Sequence, residues 1–85
     1  MSRTLTSKTV NDFSINVKSW YILKNGWEYF VTKSPDEDGI GEALVQGFET
    51  EIGSFSLEEI KPYIISSANE SELHDLAPPD GWVWS

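Results

Sequence analysis

The chain has 85 residues, no cysteine and a net charge of −8. That length is one domain, near the small end of what folds alone on a hydrophobic core, and without cysteine neither a disulfide framework nor a thiolate metal site is open to it. The charge is unevenly placed: residues 1–35 hold five basic residues against Asp12 and Glu28, whereas residues 36–85 hold twelve acids against Lys61 alone.

In chain order, residues 1–12 are polar and read as loosely ordered, without the apolar stretch of a signal peptide. No segment approaches the roughly 18 apolar residues of a membrane span, so a cytoplasmic protein without membrane contact is expected. FSIN at 13–16 leads into the first strand. Val17–Leu23 and Trp27–Lys33 then read as strands, rich in aromatic and β-branched residues. Between them Asn25-Gly26 suits a two-residue type I′ turn, whose central positions need positive φ. That turn sets Leu23 opposite Glu28, Ile22 opposite Tyr29 and Tyr21 opposite Phe30. Alternation then puts Trp20, Ile22, Trp27, Tyr29 and Val31 on the core face, and Tyr21, Leu23 and Phe30 on a smaller apolar strip. The strip is either covered by one of the chain's own tails or left open as an interaction surface. On that basis Tyr21 and Phe30 are candidate partner contacts.

SPDEDGIG at 34–41 reads as a loop. EALVQGF at 42–48 and IGSFS at 52–56 read as two further strands around a hairpin tip at Glu49-Thr50-Glu51. Ser56 with Glu59 matches a capping box and starts a short helix at Leu57, which Pro62 limits. Asn69 with Glu70 and Glu72 is a second helix start, closed by Pro78-Pro79. DGWVWS ends the chain as a short strand with Trp82 and Trp84 on one side, closing the core or, as the alternative, offering an aromatic surface to a partner. The expected fold is α+β, an antiparallel sheet of four to five strands with one or two short helices.

Little in the sequence points to catalysis. His74 is the only histidine, and no serine sits in a nucleophile elbow. DEDG at 36–39 lacks the calcium-loop pattern, because Ser34 and Val45 stand where acids are needed, so a solvated turn and no cofactor are expected. Glu49 and Glu51 at a hairpin tip, and Glu58 and Glu59 at a helix start, are placed for exposure, and helix-dipole complementation accounts for the second pair. The glycines match no phosphate-binding loop.

Residues 43–60, ALVQGFETEIGSFSLEEI, resemble a family of small uncharacterised proteins found largely on plasmids, phages and other mobile elements. The shared pattern is V-x-G-F-E-x-E-x-G-x-F-S-L-x-E, met by Val45, Gly47, Phe48, Glu49, Glu51, Gly53, Phe55, Ser56, Leu57 and Glu59, with a similar pair at Trp20-Tyr21 upstream. Ser54 stands where an aromatic is usual, and the similarity ends near residue 62. The resemblance implies a strand–strand–helix unit of mobile-element origin and no catalytic residues. Physically, the motif reads as glycines at turns, Phe48 and Phe55 in the core, and Ser56 as a cap.

The expected function is a non-catalytic acidic interaction module. Its negative half repels phosphate backbones, which disfavours direct nucleic-acid binding, and attracts a basic protein; inhibition of a basic nucleic-acid-handling host protein is the anti-defence version by analogy. Glu49 and Glu51 are the first expected contacts, with Asp36, Glu37 and Asp38 second. The same charge also keeps a small protein soluble. The alternatives are a small hydrolase or metal-dependent enzyme using Glu49, Glu51 or His74, and an assembly subunit that oligomerises through the aromatic strip. A monomer or weak homodimer is expected.

Overall fold

The computed structural model describes residues 3–10 and 13–85, apart from the His74 side chain. Among these residues, eight strands form two antiparallel sheets. In the smaller sheet the order is β2-β1-β8, with β1 Arg3–Ser7, β2 Ser14–Val17 and β8 Trp82–Trp84. In the larger it is β6-β5-β4-β3-β7, with β3 Ser19–Leu23, β4 Glu28–Lys33, β5 Ile40–Gln46, β6 Thr50–Ser56 and β7 Ile64–Asn69. Helix α1, Leu57–Ile60, runs into a 3₁₀ turn at Lys61–Tyr63, and a second 3₁₀ segment spans Glu70–Asp75. The five-stranded sheet and α+β class match the expectation; the additional three-stranded sheet goes beyond it.

The larger sheet is covered on both faces, which explains why its central hairpin is apolar on both sides. Trp20, Phe30 and Leu44 point to one face and join Leu5, Val17, Leu73 and Trp82 in a core against the smaller sheet. Their neighbours Leu23, Tyr29, Val31 and Ala43 point the other way and join Phe55 and Ile60 beneath α1. Two layers of cover on a thin sheet suit a small chain, because a central strand can then bury consecutive side chains, as Tyr29, Phe30 and Val31 do in β4. Two of the tryptophans here pair their indole N–H groups: Trp20 Nε1 donates to Glu28 Oε2 at 2.9 Å, and Trp84 Nε1 to the Leu76 carbonyl at 2.8 Å.

The β3–β4 turn departs from the type I′ expectation by one residue. Gly26 N–H donates to the Leu23 carbonyl and Leu23 N–H to the Trp27 carbonyl, both at 2.9 Å, closing a three-residue loop over Lys24–Gly26. Gly26 takes φ +88°, the left-handed position of a G1 bulge. Trp20 therefore faces Phe30, Tyr21 faces Tyr29 and Ile22 faces Glu28. A one-residue slip moves a whole strand's side chains to the other face. The strip of Tyr21, Leu23 and Phe30 is thus dissolved: Phe30 lies with Trp20 in the core between the sheets, while Tyr21 and Leu23 lie on the α1 face.

Other expectations are also corrected. Arg3–Ser7, expected to be loose, is the central strand of the smaller sheet, pairing with β2 on one side and β8 on the other; residues 1, 2, 11 and 12 of that stretch lie outside the described residues. The expected strand at 17–23 is divided at Lys18, where the chain leaves one sheet for the other, held by Lys18 N–H to the Val31 carbonyl at 2.7 Å. Ile64–Asn69 is an edge strand against β3. Ser56 is the N-cap residue of α1, yet its side chain makes no capping hydrogen bond; the Leu57 N–H is satisfied by the Gly39 carbonyl at 2.8 Å. The capping box lies instead at the second start, where Asn69 Oδ1 accepts from Ser71 N–H and Glu72 Oε1 from Asn69 N–H. Trp82 and Trp84 close the core as expected, with Val83 turned outward.

Candidate functional site

The β5–β6 hairpin carries the candidate site. Its strands pair from Ile40 opposite Ser56 to Gln46 opposite Thr50, so the loop is Gly47-Phe48-Glu49 and not the expected Glu49–Glu51. Gly47 N–H donates to the Glu49 carbonyl at 3.1 Å across it. Glu49 is in the loop, and Glu51 is the second residue of β6, opposite Val45; both are exposed. This shift of the turn by two residues puts Phe48 at the apex. Phe48 is 95 % exposed, the reverse of the core position read from the sequence.

Pairing of Glu28 with Gln46 brings Trp27, just before β4, beside Gly47. The two fit closely: a Cβ on Gly47 would lie 2.8 Å from three indole ring atoms, so only glycine lets the backbone pass over the ring at this distance. Phe48 meets Trp27 edge to face, with ring centroids 5.3 Å apart and planes at 81°. Trp27, Val45, Gly47, Phe48, Glu49 and Glu51 line a surface pocket of about 170 Å³. It combines two aromatic rings, one aliphatic wall and two carboxylate-bearing residues. In comparisons with protein families, curated proteins and solved structures, nothing matches this chain. The residues and their geometry therefore carry the functional reading.

The second group of acids sits elsewhere. Asp36, Glu37 and Asp38 precede β5, whereas Glu49 follows it; a seven-residue strand separates the groups by about 20 Å. Asp36 is occupied by its own turn: its Oδ1 accepts from Asp38 N–H at 2.9 Å and Ile40 N–H at 3.1 Å, and Gly39 completes the turn at φ +81°. The solvated-turn reading of DEDG thus gains a structural role for Asp36. Glu37 and Asp38 are exposed there, close to the start of α1 through the Gly39–Leu57 hydrogen bond.

Of the two aromatic candidates, Phe30 is wholly buried between the sheets and offers no surface to a partner. Tyr21 is half-buried and packs edge-on to Phe55 at 6.4 Å. Among the described residues, no three His, Cys, Asp or Glu side chains are grouped to hold a metal ion, and no helix is long and apolar enough to cross a membrane. The His74 side chain lies outside the described residues. Burial pushes the Tyr29 hydroxyl above its usual pKa, with Phe55 against its ring at 5.6 Å.

Phe48 and Trp27 are the site residues that sequence reasoning missed. The available signal was Gly47: in a hairpin a glycine beside Phe-Glu marks the turn itself, and a turn residue projects from the sheet.

Proposed function

We propose that this protein is a non-catalytic interaction module that binds a basic protein through the tip of its β5–β6 hairpin. The observation that carries the reading is Phe48, a large aromatic side chain held almost fully in water at the hairpin apex, in T-shaped contact with Trp27. An apolar ring in that position gains little for the fold beyond its contact with Trp27, whereas aromatic side chains are enriched where interfaces concentrate their energy. The surrounding carboxylates, and twelve acids against one base over residues 36–85, favour a positively charged partner and speed its approach at low salt. The narrower reading, an inhibitor of a basic nucleic-acid-handling protein of the host, rests on this charge and on analogy alone.

The test is capture from host lysate at low and high salt by the wild type and by Glu49→Lys with Glu51→Lys. Because both positions are exposed, the double reversal should leave stability within about 1 kcal/mol while abolishing salt-sensitive capture. Capture that survives the reversal assigns the charge to solubility alone. Self-association of the purified chain, in place of capture, favours the assembly-subunit reading.

A further inference from the structure

The geometry points to the pocket at the hairpin tip as a receptor for a single cationic side chain, a guanidinium or alkylammonium group, supplied by the basic partner. This rests on the proposed function and names what its hairpin tip recognises. Three features of the pocket converge on a cation. First, its ionisable lining residues are both acids, Glu49 and Glu51, and both are exposed. Second, its walls are aromatic. The faces of Trp and Phe rings carry negative charge density and attract cations, and at 95 % exposure Phe48 leaves its ring open to an incoming group. Third, its size suits a side chain: about 170 Å³ is several times the roughly 30 Å³ share of one water in the liquid.

The backbone holds this arrangement in place. Trp27 is fixed between two hairpins, its carbonyl accepting from Leu23 N–H and its N–H donating to Asn25 Oδ1 at 3.0 Å. Gly47 lies over the indole where any side chain would displace it. A cation entering here meets ring surface and carboxylates together. A neutral side chain of the same shape gains the contact with the rings but forfeits both the ring-face attraction and the carboxylates, and an anion is repelled. The pocket thereby discriminates on charge rather than on apolar area alone.

The experiment is an NMR titration of the full chain with capped Gly-Arg-Gly, capped Gly-trimethyllysine-Gly and capped Gly-citrulline-Gly, the last a neutral isostere of the first. The expected result is saturable displacement of the Trp27 indole N–H and Gly47 amide signals by one or both cationic peptides, with citrulline at least tenfold weaker. Comparing arginine with trimethyllysine distinguishes a guanidinium from an ammonium ligand. Phe48→Ala should weaken the cationic peptide about three- to fivefold, and Glu49→Gln with Glu51→Gln should remove most of the salt dependence. Equal displacement by citrulline, no displacement at these two signals, or displacement centred on Asp36–Asp38 overturns the inference. Its failure is separable from that of the proposed function. A captured basic protein that binds Phe48→Ala as well as wild type, yet is lost on reversal of Glu49 and Glu51, leaves the acidic module standing and removes the pocket. Cationic peptides that seat in the pocket while no basic protein is captured do the opposite.

Discussion

Phe30→Ala and Phe48→Ala make the same chemical change in opposite environments, and the structure assigns them opposite outcomes. Phe30 is 0 % exposed, packed among Trp20, Leu44, Leu73 and Trp82 between the sheets. Truncating a buried phenylalanine costs about 3–5 kcal/mol, from lost transfer energy and the cavity left behind. A domain of this length has about 4–13 kcal/mol of stability in all, so the variant loses a large share of it. At about 4–8 °C per kcal/mol for a chain of this size, the melting temperature should fall by about 12 °C or more. Phe48, at 95 % exposure, forfeits little beyond its edge contact with Trp27, and its variant should stay within about 1 kcal/mol of wild type. Urea denaturation followed by far-UV circular dichroism measures both. Phe30→Leu serves as the milder partner if the alanine variant is already unfolded at zero denaturant; it should lie between wild type and alanine. A Phe30→Ala midpoint within 1 kcal/mol of wild type would refute the three-residue turn and the face assignment that follows from it. A Phe48→Ala midpoint as low as that of Phe30→Ala would refute the exposed tip.

Capping gives a second reversal: Ser56→Ala should be nearly neutral, since the Ser56 side chain makes no cap hydrogen bond, whereas Asn69→Ala should cost about 1 kcal/mol through loss of its bond to Ser71 N–H; chemical denaturation of the two variants side by side checks the order. The raised pKa of the Tyr29 hydroxyl predicts alkaline sensitivity. Above the unfolded value near 10 the unfolded chain releases the Tyr29 proton while the folded chain still holds it, so stability is complete below that pH and falls as pH rises toward the folded pKa. Melting temperatures between pH 8 and 11 should decline less steeply for Tyr29→Phe than for wild type.

Much of the local structure was legible in the sequence. Alternating aromatic and β-branched residues define β3, β4, β5 and β6, and the spacing of Trp82 and Trp84 places both on the inner side of β8, because strand periodicity is a property of a few adjacent residues. Asn25-Gly26 marks a turn, since glycine at positive φ avoids a steric cost whatever the surroundings. The α+β class follows from those elements. The acidic tip is partly legible as well: the sequence puts Glu49 and Glu51 at this hairpin, but it reads Phe48 as core, and the structure has Phe48 at the apex.

Tertiary structure decided register and burial. A two-residue and a three-residue loop both accommodate Lys24-Asn25-Gly26, and the choice moves Phe30 from one face of the sheet to the other. What selects the longer loop is global: with cover on both sides, the observed register buries Trp20 with Phe30 against the smaller sheet and Tyr29 with Phe55 beneath α1. Arg3–Ser7 shows the same dependence. RTLTS has a single apolar residue and reads only weakly as a strand, yet Leu5 is fully buried because β2, the next strand along, and β8, from much further along the chain, flank it. Phe48 reads as core by composition and stands in water because the hairpin turns at Gly47. In each case local chemistry sets what a segment can become, and pairing with residues far along the chain selects among the options, since only the assembled layers determine which face is dry.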